Sequence, residues 1–189
     1  MKAGMGLGKT TQLKIFTEKH PGSSFLVVSS RISLSHTLLG VLSDFEHYSS
    51  HDYDRDRLVV QYESLHHIKK LYDYIVLDEV RSLLTCMTSL KTNRSHLRTN
   101  AMILSKLVEQ ATMTITLDAD TEVDGAVPFF LTTLASSNAI HFIRYTYKRL
   151  KRNLYFSSDE KVFVGKVCEA LLAGKKICIG CQGKRRAQM

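Results

Sequence analysis

The chain has 189 residues, enough for one good hydrophobic core and the start of a second domain. Its 44% hydrophobic and 23% charged content is ordinary for a soluble globular protein, and no apolar run reaches the length of a membrane-spanning helix. A net charge of +8 and a pI near 9.4 point to an acidic partner such as nucleic acid, although solubility alone accounts for them equally well.

In chain order the first feature is a loop. Ala3-Gly4-Met5-Gly6-Leu7-Gly8-Lys9-Thr10-Thr11 has the A-x-x-G-x-G-K-T form of a phosphate cradle, not of a secretory leader. Its glycines let the backbone curl so that successive N–H groups face phosphate oxygens. Lys9 reaches the outer phosphates, and the Thr10 hydroxyl is placed to hold Mg²⁺. A helix expected over Lys9–His20 carries Leu13 and Phe16 on its apolar face and turns its positive end toward the same anion, until His20-Pro21-Gly22 stops it. Such a loop is normally fed by a buried strand. Only Met1 and Lys2 precede Ala3, so that strand is expected to be missing.

Ser24–Ser30 is an unbroken β-branched run, as buried parallel strands tend to be, followed by a helix over Arg31–Ser43. Ser29-Ser30-Arg31 at that strand end either caps the helix or offers hydroxyl and guanidinium groups to a phosphodiester backbone; spacing alone favours the cap. A short strand over Phe45–Tyr48 and a polar loop over Ser49–Arg57 precede the strand Leu58–Gln61. Gln61-Tyr62-Glu63-Ser64-Leu65 then opens a short helix ending near Lys70, and again these polar groups either cap or touch nucleic acid. His66 and His67 read as surface and helix-face residues, not ligands.

Tyr74-Ile75-Val76-Leu77-Asp78-Glu79 is a buried strand ending in adjacent carboxylates. Where the chain turns at the strand end both can face one crevice, with Asp78 holding Mg²⁺ through water and Glu79 polarising an attacking water. Helices are expected over Val80–Leu90 and Leu97–Gln110, split by Lys91–Arg94. The strand Met113–Leu117 delivers Asp118-Ala119-Asp120 to the edge that holds Asp78 and Glu79. These carboxylates either sense the terminal phosphate through the Mg²⁺ shell or simply end a strand. A helix over Thr121–Leu134 and a strand over Ala139–Tyr145 follow, then a basic connector Lys148–Asn153, a helix Asp159–Ala173 and a strand Lys176–Cys181.

The alternation predicts a doubly wound parallel α/β fold, a RecA-like P-loop NTPase sheet lacking its first strand. Residues 1–146 form a nucleotide-binding lobe, 147–157 a linker and 158–189 the opening of a second lobe. The four cysteines are too few and too scattered for a disulfide framework, and Cys178-x-x-Cys181 has no second ligand pair for zinc, so the chain is expected to be intracellular and reduced.

Met5–Thr11, Val27–Arg31, Val60–Leu65, Tyr74–Ser82 and Leu117–Asp120 together resemble the herpesvirus-type replication origin-binding protein family, a branch of the superfamily-two DNA helicases. The most specific piece is Asp78-Glu79-Val80-Arg81-Ser82, since commoner helicases have Ala-Asp or Ala-His after the Asp-Glu pair. The resemblance covers nearly the whole chain. It implies an ATP-driven DNA motor in which Lys9 and Thr10 serve ATP and Mg²⁺, Asp78 the metal and Glu79 the water. Ser30, Arg31, Gln61 and Ser64 would serve the DNA strand, and Asp118 and Asp120 would couple the two. It also implies a nuclear location and a homodimer in the full-length family. Against this stand a truncated remnant that binds nucleotide or DNA weakly, and a small P-loop kinase. The Asp-Glu pair argues against the kinase, because kinases need no glutamate for water. The chain is expected to be a fragment, without the arginine finger of a second lobe and without a separate origin-recognising domain.

Overall fold

The computed structural model describes residues 8–89, 95–118, 126–135, 143 and 159–175. Loop residues Ala3 to Leu7, Asp120, the expected strand Ala139–Tyr145 apart from Ile143, the expected strand Lys176–Cys181 and the basic connector lie outside them. The chain divides into two compact units, Met1–Lys148 and Arg149–Met189.

In the first unit the described elements are α1 (Lys9–Glu18), β1 (Phe25–Ser29), α2 (Ile32–Leu39), β2 (Glu46–His47), β3 (Arg57–Gln61), β4 (Tyr74–Asp78), α3 (Val80–Met87), α4 (Leu97–Gln110), β5 (Met113–Leu117) and α5 (Ala126–Ala135), with 3₁₀ turns at Tyr48–Ser50 and Tyr62–His67. The strands form one sheet in the order β2-β3-β1-β4-β5, every pairing parallel. The sheet is continuous, with β1 at its centre and Val27 opposite both Val59 and Val76.

The unbroken apolar runs follow from burial on both faces. Side chains alternate across a strand, so Leu26, Val28, Leu58, Val60, Ile75 and Leu77 pack with Leu83, Leu104, Leu107 and Val108 of α3 and α4. Phe25, Val27, Val59 and Val76 pack instead with Leu13 of α1 and with Leu38 and Leu42. At the amino ends, Asp73 accepts from the Ser24 N–H at 2.8 Å and its hydroxyl at 2.9 Å, fixing β1 against β4. These hydrogen bonds hold the Asp73 carboxyl below its ordinary pKa.

The first five strands are those expected, within a residue or two at their ends. The short helix after β3 is a 3₁₀ turn, and α2 stops at Leu39, before Gly40, short of the expected Ser43. In the second unit the described helix α6 (Glu160–Leu172) begins where Asp159 caps it, accepting from the N–H groups of Lys161 and Val162. Among the described residues no helix is long and apolar enough to cross a membrane.

Candidate functional site

Parallel pairing brings the strand ends into line. Ser29 of β1 lies opposite Gln61 of β3, and Asp78 of β4 opposite Leu117 of β5. Ser30, Gln61, Asp78 and Asp118 therefore emerge along one carboxyl edge. Helix α1 starts at the same edge. Its cap residue Gly8 has φ of +82°, in the left-handed region, and its carbonyl accepts from the Gln12 N–H at 2.9 Å. A Cβ there would meet nothing within 4 Å, so it is the backbone angle, and not space, that calls for glycine.

Gly8, Lys9, Thr10 and Thr11 line a cleft of about 340 Å³ together with Asp78 and Glu79. The structure thus brings together Lys9, Thr10, Asp78 and Glu79, the residues expected from sequence to serve ATP, Mg²⁺ and the attacking water. The same cleft is lined by Leu34, Thr37 and Leu38 of α2, which carry no motif and are placed there by the packing of α2 on β1 and β3. A second cleft of about 360 Å³ at the amino ends holds Asp44, Glu46, Asp56 and Arg57. Arg57 is consumed internally, bonding Asp44 and the carbonyls of Thr17 and His20.

The carboxylates of the first cleft are held under tension. Asp78 is 8% exposed, and its pKa is pushed up to about 6, first by burial and then by the Glu79 carboxylate and by Asp118, against the pull of Lys9 and of the Glu79 N–H. Glu79 sits at φ 54° and ψ 60°, left-handed without being glycine, at a cost of about 1–2 kcal/mol. The geometry explains why: its N–H bonds the Leu117 carbonyl of β5 at 2.8 Å while its own carbonyl already accepts from Leu83 in α3. The chain must leave the sheet and enter a helix within one residue.

Glu79 makes no side-chain cap to α3. Asp118 does so from the next strand: 2% exposed, it accepts from the Arg81 N–H at 2.8 Å through Oδ2. Asp118→Ala is expected to cost about 1–2 kcal/mol of unfolding free energy. Asp118→Asn, which keeps an acceptor oxygen and removes a charge near Asp78, is expected to cost less. Urea unfolding of the two variants checks this, and equal losses contradict a capping role. Asp120 lies outside the described residues.

The proposed strand contacts are spread along the same edge. Ser30 is buried and its hydroxyl has no hydrogen-bond partner among the described residues, whereas Arg31 is exposed. Arg31 is itself the cap position of α2, with no side-chain cap bond, so the serine cap that spacing favoured does not form. The Ser29 hydroxyl instead bonds that of Ser35 at 2.7 Å and the Arg31 carbonyl at 3.2 Å, fixing the turn. Gln61 accepts from the Tyr48 hydroxyl at 2.7 Å, and Ser64 is half-buried in the 3₁₀ turn.

Among the described residues no group of three or more His, Cys, Asp or Glu is placed to hold a metal ion. The hydroxyl of Thr10 and the carboxylate of Asp78 suit Mg²⁺, which keeps several waters and takes few protein oxygens beside substrate phosphates.

The model of the origin of replication binding protein family matches residues 1–181. The chain is 30% identical over 197 residues to the replication origin-binding protein of human herpesvirus 6A (strain Uganda-1102), an alignment covering 96% of this chain and 25% of that protein. It is 35% identical over 161 residues to the replication origin-binding protein of human herpesvirus 2 (strain HG52), covering 76% of this chain and 18% of that protein. It is 25% identical over 202 residues to the protein named "Uncharacterized putative helicase R8" of Acanthamoeba polyphaga mimivirus, covering 95% of this chain and 19% of that protein. The chain thus spans a quarter or less of the length of these relatives.

Proposed function

Because this chain belongs to the origin of replication binding protein family, we propose that it carries the nucleotide-binding lobe of an ATP-driven DNA motor acting in replication, built on a RecA-like P-loop sheet. The observation that carries this reading is the single cleft lined by Lys9, Thr10, Asp78 and Glu79 at the edge where Ser30, Arg31 and Gln61 also emerge. The N-terminal N–H groups of α1 and the Lys9 ammonium bind the phosphates of ATP. Thr10 and Asp78 hold Mg²⁺, which supplies charge neutralisation on the phosphate oxygens. Glu79, presented to the cleft by its left-handed backbone, orients a water toward the terminal phosphate. Asp118 keeps Glu79 in place through the start of α3.

The DNA contacts of this reading are phosphate contacts, made by Arg31, Ser30, Gln61 and Ser64 under a net charge of +8. Affinity for a labelled oligonucleotide, followed by fluorescence anisotropy, is expected to fall steeply with salt, with a log–log slope of roughly −0.7 per phosphate neutralised on a single strand. It is also expected to be nearly indifferent to sequence. A salt-independent affinity, or a strong preference for one duplex sequence, contradicts it.

A further inference from the structure

Next to the proposed DNA contacts, aromatic rings from three separate parts of the chain stack against one another. The rings of His66 and His96 lie 3.8 Å apart, 7° from parallel; His67 is 4.0 Å from His66 but tilted from it by 41°, and Tyr53 stacks on His67 at 4.8 Å and 25°. Tyr53 belongs to the loop before β3, His66 and His67 to the 3₁₀ turn after it, and His96 to the cap position of α4. We propose that this ladder is a stacking surface for the unpaired bases of a nucleic-acid strand, a proposal that rests on the DNA-binding reading above and extends it.

The ladder is preorganised. His66 donates from Nδ1 to the Glu63 carbonyl at 2.9 Å, and the same carbonyl accepts from Asn100 of α4 at 3.1 Å, so one acceptor fixes the ring and ties the turn to the helix. A prepaid geometry reduces what a ligand must order on binding. His67 and His96 are nevertheless exposed, leaving ring surface open to solvent at the turn that carries Ser64.

The chemistry favours bases over phosphates at this place. Slight burial and then the neighbouring His66, His96 and His51 rings hold His67 below the ordinary histidine pKa, which weakens any pull of this ring on a phosphate. At the loop bearing Tyr53 the cations Arg55 and Lys70 are already paired, with Asp52 and Asp56, which leaves little positive charge there for a phosphate. Planar rings beside a phosphate-binding edge match the way single strands are held, by charge along the backbone and by stacking on the bases.

The experiment compares a labelled oligothymidylate with an abasic strand of the same length, which keeps the phosphates and lacks the bases. Anisotropy titrations use the full chain as wild type, His96→Ala and His96→Tyr. His96 makes no side-chain cap bond, and matching thermal unfolding confirms that the variants are folded. The wild type should prefer the base-bearing strand. His96→Ala should lose about 5- to 150-fold on that strand and little on the abasic one, and His96→Tyr should restore the difference. If wild type binds both strands alike, or if the alanine variant loses equally on both, or on neither, the ladder is not a base platform while the DNA reading survives. If wild type binds neither strand, the DNA reading fails and the ladder proposal fails with it.

Discussion

Replacing Glu79 with glycine is expected to stabilise the fold and, in a chain extended through a second lobe that supplies an arginine finger, to cut turnover sharply. Water positioning and proton transfer by a side chain contribute typically about 10²–10⁴-fold in rate, so DNA-stimulated phosphate release by the extended chain should fall by that order in Glu79→Gly and Glu79→Gln alike, while the 189-residue chain, slow without that arginine, should change little. The two variants part company in stability. The left-handed backbone at φ 54° is imposed by the Leu117 bond and by entry into α3, and it remains whatever side chain is present. Glycine adopts it without steric cost, although it gives up part of the gain through the greater freedom of the unfolded chain. The net expectation is a gain on the order of 0.5–1 kcal/mol for glycine, and none for glutamine from this source. Unfolding curves and a phosphate-release assay on the same preparations read both effects. Undiminished turnover in both variants removes Glu79 from the chemistry, and a loss of stability in the glycine variant shows that the backbone was not under strain.

Neutralising Asp78 is expected to have the largest effect on stability, with a sign opposite to that of most buried substitutions. Its pKa is raised from 3.8 to about 6 in the folded chain, so the folded state holds the proton more tightly than the unfolded one. This contribution is fully present below about pH 4 and is lost as pH rises through about 6; at neutral pH, without Mg²⁺, the ionised carboxylate costs on the order of 2–3 kcal/mol. Asp78→Asn should therefore be more stable than wild type at pH 7 by about that amount, the gap closing below about pH 4. Mg-ATP should reverse the ranking, by stabilising wild type through the carboxylate and leaving the variant nearly unmoved. A variant no more stable at pH 7, or a gap independent of pH, contradicts this account of the site.

The parts legible in the sequence were those set by local pattern. The runs at Phe25–Val28 and Ile75–Leu77 read as buried parallel strands because both of their faces are covered. Helix α4 matches its expected bounds, Leu97–Gln110, because its apolar period is long and unbroken. That Lys9, Thr10, Asp78 and Glu79 would meet at one edge was legible for a similar reason: lysine and threonine at fixed spacing after Gly8, and carboxylates at a strand end.

What stayed hidden depends on pairing between distant segments. Asp118 could be placed at the right edge, but its bond to Arg81 exists only because β5 pairs with β4 and ends level with it. The left-handed angle at Glu79 comes from the same pairing. His66 and His67 read as plain surface residues because the ring that stacks on His66 is thirty positions away in sequence, at His96. Leu34 and Thr37 enter the cleft wall by helix packing, for which no residue type is diagnostic.

The central claim is that the cleft between α1 and the carboxyl end of β4 holds Mg-ATP. Calorimetric titration of Mg-ATP into wild type and Lys9→Ala tests it most directly, since Lys9 lines the cleft and is the cation whose field opposes the raised pKa of Asp78. The account predicts saturable binding to wild type that weakens when Mg²⁺ is withheld, and no measurable binding to Lys9→Ala. Equal affinities in the two proteins, or no heat of binding in either, contradict it.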